Sequence, residues 1–231
     1  MIQLHHLTNS RSQRIIWLLE ELGLEYDLII HERDPHTRQA ANTLYQVHPL
    51  GKAPVLIANT IQLAESGAIV DYLLEVYGST GLIPPAQSPE KIHYIYWKNF
   101  AEASLMPYLA MTQLFAKINQ RAFFPANIVL RAITKKVNQH YLHKNLQLEL
   151  NLIEQHLSQH TWFAGEQFSA ADILMGFMLD ALAGRFVSAQ THPHIDEFVE
   201  RTKQRPAYQR AAKKGQWSPD EFDRYGAHLH I

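Results

Sequence analysis

Ile2-Gln3-Leu4-His5-His6-Leu7, Thr8-Asn9-Ser10, then Arg11-Ser12-Gln13-Arg14-Ile15-Ile16-Trp17-Leu18-Leu19-Glu20-Glu21-Leu22-Gly23 open the chain. Ile2, Leu4 and His6 alternate with Gln3 and His5, the period of a short strand. Leu7-Thr8-Asn9-Ser10 is a polar turn able to cap a helix. Ile15, Leu18, Leu19 and Leu22 then recur at helical spacing, and Gly23 stands where a C-terminal cap falls. Tyr26 to Ile30 supply a second strand. Strand, helix and strand in so short a span predict a parallel, right-handed βαβ unit.

Working outward, Pro35 to Val47 is mixed and helical in part. Val55-Leu56-Ile57 and Ile61-Gln62-Leu63 flank Ala58-Asn59-Thr60 and predict a hairpin. Ser66 can cap a helix through Ile69, Val70, Leu73, Leu74 and Tyr77, which Gly78 ends. Residues 1–78 thus close a small mixed sheet. Gly78-Ser79-Thr80-Gly81 and Pro84-Pro85 break regular structure, which places a linker at 79–88. Strand-like runs then vanish, and 89–231 reads as helical. One helix is expected from Pro89 to Lys117. Another follows from Leu142, Leu146, Leu150, Ile153 and Leu157, a single apolar stripe. Phe168-Ser169-Ala170-Ala171-Asp172-Ile173 has the form of a capping box with a hydrophobic staple, a folding device rather than a site.

Bulk composition narrows the function. Twenty-one basic against 22 acidic side chains leave a net charge of −1, so nothing points to nucleic acid or an anionic membrane surface. No apolar run approaches the roughly 18–20 residues that cross a bilayer, and no basic-then-apolar leader opens the chain. There are 0 cysteines, which fits a reducing, cytoplasmic setting and removes any thiol of the protein's own from nucleophilic, redox or zinc-thiolate chemistry. Fourteen histidines are numerous. His5-His6, His192 with His194, and His228 with His230 lack the i, i+4 geometry of a helical zinc motif. His156 and His160 have it, but at the expected exposed end of a long helix, so no metal site is expected.

Three stretches taken together resemble the glutathione transferase family: Asn9-Ser10-Arg11-Ser12-Gln13-Arg14, His48-Pro49-Leu50-Gly51-Lys52-Ala53-Pro54-Val55-Leu56, and Glu65-Ser66-Gly67-Ala68-Ile69-Val70-Asp71-Tyr72-Leu73. Leu82-Ile83-Pro84 looks like the family's linker, and Phe168 to Asp172 like its C-terminal capping motif. The Ser-Arg-Ser-Gln-Arg segment before a Trp-Leu-Leu-Glu-Glu helix is most similar to serine-type bacterial and fungal members. The resemblance implies an α+β protein: a thioredoxin-like domain holding glutathione as co-substrate, then an all-α domain receiving a small hydrophobic electrophile, assembled as a homodimer.

It also implies roles. Glu65 and Ser66 would hold the γ-glutamyl end, the carboxylate at a helix N-terminus and the ammonium beside Glu65. Ala53, before a cis Pro54, would pair through its backbone with the cysteinyl unit. Lys52 would approach the glycine carboxylate. Ser10 would donate a hydrogen bond to the glutathione sulfur and keep it ionised. Asn9 and Ser12 lie in the same turn and stay open as alternatives, as does the absence of any single essential side chain. Ala101, Glu102, Leu105, Met106, Tyr108 and Met111 are candidates to face the second substrate, with Met106 and Tyr108 singled out, and Glu102 is also the candidate to reach a partner subunit's glutathione. Conjugation is the leading activity. Peroxidase, disulfide reductase, dehalogenase and isomerase activities share its chemistry, and a non-catalytic scaffold is the rival outside enzymes.

Overall fold

In a computed structural model of the chain, describing residues 1–33, 40, 42–78, 81–121 and 123–219, β1 (Ile2–Leu7) leads through α1 (Gln13–Leu22) to a parallel β2 (Asp27–His31). β2 begins one residue later than the alternation suggests. Leu4 pairs with Leu28 on one side and Leu56 on the other, so the first strand sits in the middle of the sheet. β3 (Val55–Ala58) runs antiparallel to β1, and β4 (Ile61–Ala64) returns beside it, giving the order β2-β1-β3-β4. Asn59, at φ 55°, makes the tight turn of the hairpin, a conformation asparagine tolerates. Gly23 closes α1 in the left-handed region at φ 64°, as its position suggested.

α2 (Thr43–Val47) is the described helical part of the 35–47 stretch; residues 35–39 and 41 lie outside the described residues. α3 (Ser66–Tyr77) starts with Ser66 already helical and Glu65 in the capping position. Instead of capping the helix, the Ser66 hydroxyl accepts a hydrogen bond from Arg14. Gly78 ends α3, while Ser79 and Thr80 of the expected linker fall outside the described residues.

After the sheet, the described elements are helical. Ser88 caps α4 (Pro89–Phe100), accepting the Lys91 amide at 3.2 Å. The single helix expected from Pro89 to Lys117 is α4 and α5 (Met106–Arg121) joined by a π-helical turn, Ala101–Leu105. α6 (Ala126–Val137) runs through a second π-helical turn, Asn138–Leu142, into α7 (His143–Leu157). Leu142, Leu146, Leu150, Ile153 and Leu157 are all buried. α8 (Ala170–Leu182) is buried along its whole length, the mark of a helix packed on every side. Its N-terminus carries the capping box: Asp172 Oδ2 accepts from the Ser169 amide and hydroxyl, and Oδ1 from the Phe163 amide. α9 (Pro193–Lys203) and α10 (Pro206–Lys214) complete the described helices.

One continuous core joins the two halves. Ile15, Ile16 and Leu19 of α1 share it with Ile173, Phe177 and Met178 of α8 and with Ala211 of α10. At its rim, Arg205 pairs with Glu21 at 2.7 Å, and Arg210 with Glu20 at 2.7 Å. Among the described residues, no helix is long and apolar enough to cross a membrane.

Candidate functional site

The turn between β1 and α1 is held by a chain of hydrogen bonds whose direction can be deduced. His6 Nε2 lies 2.9 Å from the Gly215 carbonyl, which can only accept, so Nε2 carries the proton and Nδ1 the lone pair. Ser12, fully buried, therefore donates to His6 Nδ1 at 2.8 Å while accepting the Leu7 amide at 3.1 Å. With its proton committed, Ser12 Oγ accepts from the Ser10 hydroxyl at 2.7 Å. Burial pushes the His6 imidazole down to about 4, keeping it neutral and able to accept.

The three candidates in this turn are thus unlike. Asn9 is buried at φ 50°, and its Oδ1 accepts the Ser218 amide at 3.0 Å. Ser12 is buried and faces His6 and Leu7. Ser10 alone of the three is half-exposed. Its hydroxyl proton needs only to swing away from Ser12 to meet a ligand.

Beside this turn lies a shallow surface groove, with Arg11, Lys52, Ala53, Pro54, Glu65 and Ser66 among its walls. The structure therefore brings together the residues expected to grip the tripeptide. Ala53-Pro54 is cis, as expected. Gly51 takes φ 57° just before it, a left-handed conformation that favours glycine, and a Cβ there would also push the exposed Tyr45 ring, 2.5 Å away, aside. Glu65 adopts φ 70°, ψ 122°, a sparsely populated conformation for a residue with a side chain. It projects Glu65 into solvent at the groove's edge, while Ser66 begins α3 with its unpaired first-turn amides alongside.

Arg14 is the residue beside the groove that sequence reasoning passed over. It is fully buried, yet its Nη2 donates to Ser66 Oγ at 3.1 Å, its Nε to the Arg11 carbonyl at 3.3 Å, and its Nη1 stands 2.7 Å from Glu102 Oε1. Burial lowers the guanidinium's pKa and Glu102 opposes that shift. The available signal was an arginine one residue ahead of the Ile15-Ile16 apolar face, where a cation needs a partner. Glu102 also lies 3.9 Å from Arg11 and remains 29% exposed at the side chain. Its π-helical turn fits a known habit: such turns cluster at functional sites.

Met106 and Tyr108 part company. Residues two apart on a helix face different ways. Met106, one turn beyond Glu102, packs against the shared core. Tyr108 instead meets the Tyr141 ring at 6.4 Å and feels Glu149, whose carboxyl burial pushes up to about 7. Ala101 and Leu105 are buried core, and Met111 is half-buried. His156 and His160, expected on an exposed helix end, are both half-buried, because α7 stops at Leu157 and the chain folds back toward α4. His228 and His230 lie outside the described residues.

The chain is similar in sequence and fold to known proteins over most of its length. Residues 1–75 match the family profile described as "Glutathione S-transferase, N-terminal domain", and residues 105–206 the one described as "Glutathione S-transferase, C-terminal domain". Glutathione S-transferase 3 of Schizosaccharomyces pombe is 36% identical over 215 residues, covering 93% of this chain and 88% of that protein. A crystal structure of a glutathione S-transferase from Actinobacillus pleuropneumoniae superposes with a TM-score of 0.77 at 31% identity, covering 97% of this chain and 96% of that one. The disulfide-bond oxidoreductase YfcG of Escherichia coli is 25% identical over 230 residues, covering 96% and 100% of the two chains.

Proposed function

The chain belongs to the glutathione S-transferase family, and we propose that it holds glutathione in the groove between Lys52-Ala53-Pro54 and α3. There Ser10 keeps the sulfur ionised for attack on small hydrophobic electrophiles. The observation that carries this reading is the pairing of the groove with its neighbouring turn: ligand-facing groups on one side, and a half-exposed serine hydroxyl on the other.

Each residue has a task that its chemistry suits. The α-carboxylate of the γ-glutamyl end meets the first-turn amides of α3 and the Ser66 hydroxyl, which Arg14 orients from behind. Glu65 takes the ammonium, Ala53 the cysteinyl backbone, and Lys52 the glycine carboxylate. A thiol with pKa near 8.5 is only about 3% ionised at pH 7. Lowering it by about two units requires roughly 2.7 kcal/mol of selective anion stabilisation. A hydrogen bond from Ser10 to the thiolate supplies about 1.5–3 kcal/mol, and the N-terminus of α1 adds about 0.3–1 kcal/mol. No general base is needed. The thiolate then bonds to the electrophilic carbon and the leaving group departs with its electron pair.

The electrophile would lie against the helical half near Glu102 and Met106; Tyr108, turned toward Tyr141, is the weaker of the two earlier choices. A second reading, disulfide reduction, draws support from the relatives named as disulfide-bond oxidoreductases. With 0 cysteines, the chain would run it with two glutathiones, one attacking the substrate and one resolving it. A homodimer fits the exposed Ile92, Ile95 and Tyr96 on α4, though Glu102 is engaged by Arg14 and Arg11 of its own chain; light scattering on the purified protein reads the mass. A cytoplasmic setting keeps the tripeptide reduced.

Calorimetric titration with glutathione, followed by turnover on aryl halides, epoxides, peroxides and disulfides, tests the proposal. Saturable binding that weakens in Ser66→Ala and Lys52→Ala, with turnover of an aryl halide or epoxide, supports it. Turnover of disulfides alone selects the second reading. Absence of binding would make the chain a scaffold.

A further inference from the structure

Away from the groove, α4 and the end of α7 converge on three histidines. His93 comes from α4, His156 from the last turn of α7, and His160 from the segment just beyond it. Their ring centroids are 5.3 Å (93–156), 5.2 Å (93–160) and 4.6 Å (156–160) apart. One ring nitrogen from each lies within 4.8 Å of the others, and all three residues are half-buried. His156 Nε2 stands 3.0 Å from the Phe163 carbonyl, so it donates there, which leaves Nδ1 with its lone pair. Trp97, with its ring 4.7 Å from that of His156, and Phe163 form an apolar wall behind the cluster. In front, a cleft of about 600 Å³ reaches His93 and His160 and is lined also by Glu90 and Glu166. It shares no lining residue with the glutathione groove.

We propose that His93, His156 and His160 bind a divalent zinc-class metal ion, with the fourth coordination position open to the cleft. Three imidazoles with a fourth position left for water are an established donor set for zinc, and imidazole also suits cobalt, nickel and copper. Magnesium and calcium, which demand oxygen ligands, are excluded by the same donors. The Phe163 carbonyl supplies the outer hydrogen bond that fixes a ligating histidine's tautomer. Tetrahedral coordination at about 2.0–2.1 Å sets nitrogens about 3.3–3.4 Å apart. The rings therefore close by about 1.5 Å at most, within reach of small side-chain rotations. A bound ion would clamp α4 to the segment after α7, two stretches far apart in sequence. Sequence spacing could show only His156 and His160; His93 joins them through the packing of α4.

The test uses tag-free, chelator-treated protein without glutathione, whose thiol would compete. Cobalt(II) is titrated and followed by its visible ligand-field bands, then displaced with zinc. One equivalent giving the intense bands of a four-coordinate ion, displaced by zinc, is the expected result. His93→Gln with His160→Gln should weaken cobalt binding at least about 100-fold, since even outer partners of a metal site are worth about 10–100-fold. His140→Gln, at an exposed position elsewhere, should leave it unchanged. Retained tight binding in the double variant, or only weak octahedral cobalt in the unaltered protein, overturns the proposal. Should the double variant fail to fold by circular dichroism, X-ray absorption on the zinc-loaded protein decides. Three imidazoles at about 2.0 Å support the site, and fewer than three contradict it.

Discussion

Replacing Arg14 by methionine removes a fully buried cation that touches the groove and the helical half at once. Ser66 Oγ loses its donor, the Arg11 carbonyl loses another, and Glu102 Oε1 loses the cation 2.7 Å away. Breaking a buried pair by deleting one partner costs about 3–5 kcal/mol. Glu102 keeps 29% of its side chain in water, which sets the expectation at the lower end, about 3 kcal/mol. For a chain of this size that lowers Tm by about 6–12 °C. Glu102→Gln should cost a similar amount, because it leaves the Arg14 cation buried without its counter-charge. The double variant should then lose less than the sum, by about 2 kcal/mol of coupling. Urea unfolding with linear extrapolation measures all four corners of the cycle. Additivity to within about 0.5 kcal/mol would refute the pairing, and unchanged glutathione affinity in Arg14→Met would refute its role in orienting Ser66.

Two further outcomes follow from groups around the same turn and groove. Glu65→Gly should relieve the strained φ of 70° and raise the urea midpoint, since such a conformation costs about 1–3 kcal/mol and glycine's added chain entropy offsets only about 0.5–1 kcal/mol. The same change should weaken glutathione binding about tenfold or more by calorimetry, as a charged hydrogen bond is lost; a variant both less stable and equally tight would contradict this. His6 titrates near 4 when folded, chiefly through burial, and near its ordinary value of 6.5 when unfolded. The unfolded chain therefore takes up a proton first, and stability that is full above pH 6.5 is lost progressively as pH falls from there to about 4. About 2 kcal/mol of that loss should be visible by pH 5 in urea midpoints. A His6→Gln variant should show a shallower fall, and an identical slope would remove His6 from the account.

Much of the architecture was legible because its signals are local. Alternation at Ile2-Leu4-His6, the helical spacing of Ile15 to Leu22, and the Ser169–Asp172 box each act over a few residues, and the structure realises each where it was expected. The groove residues were legible for a different reason: Lys52-Ala53-Pro54 and Glu65-Ser66 keep a recognisable order, so likeness reached them where periodicity could not. What escaped was set by packing between distant stretches. Arg14 reads as one more charge in a charged segment until Ser66 and Glu102 close on it. The π-helical turn at Ala101–Leu105 leaves no mark on hydrophobic spacing. Tyr108 and Met106 looked like companions because the phase of a helix against its neighbours is fixed only by what each face meets.

The pH titration of bound glutathione's ultraviolet thiolate absorbance, in the unaltered protein and in Ser10→Ala, reaches the centre of the account. Ionisation about two units below the free thiol, rising by at least about one unit when the Ser10 hydroxyl is removed, is the predicted pair of curves. Superimposable curves for the two proteins would mean that the hydroxyl caps the turn and leaves the sulfur to other groups.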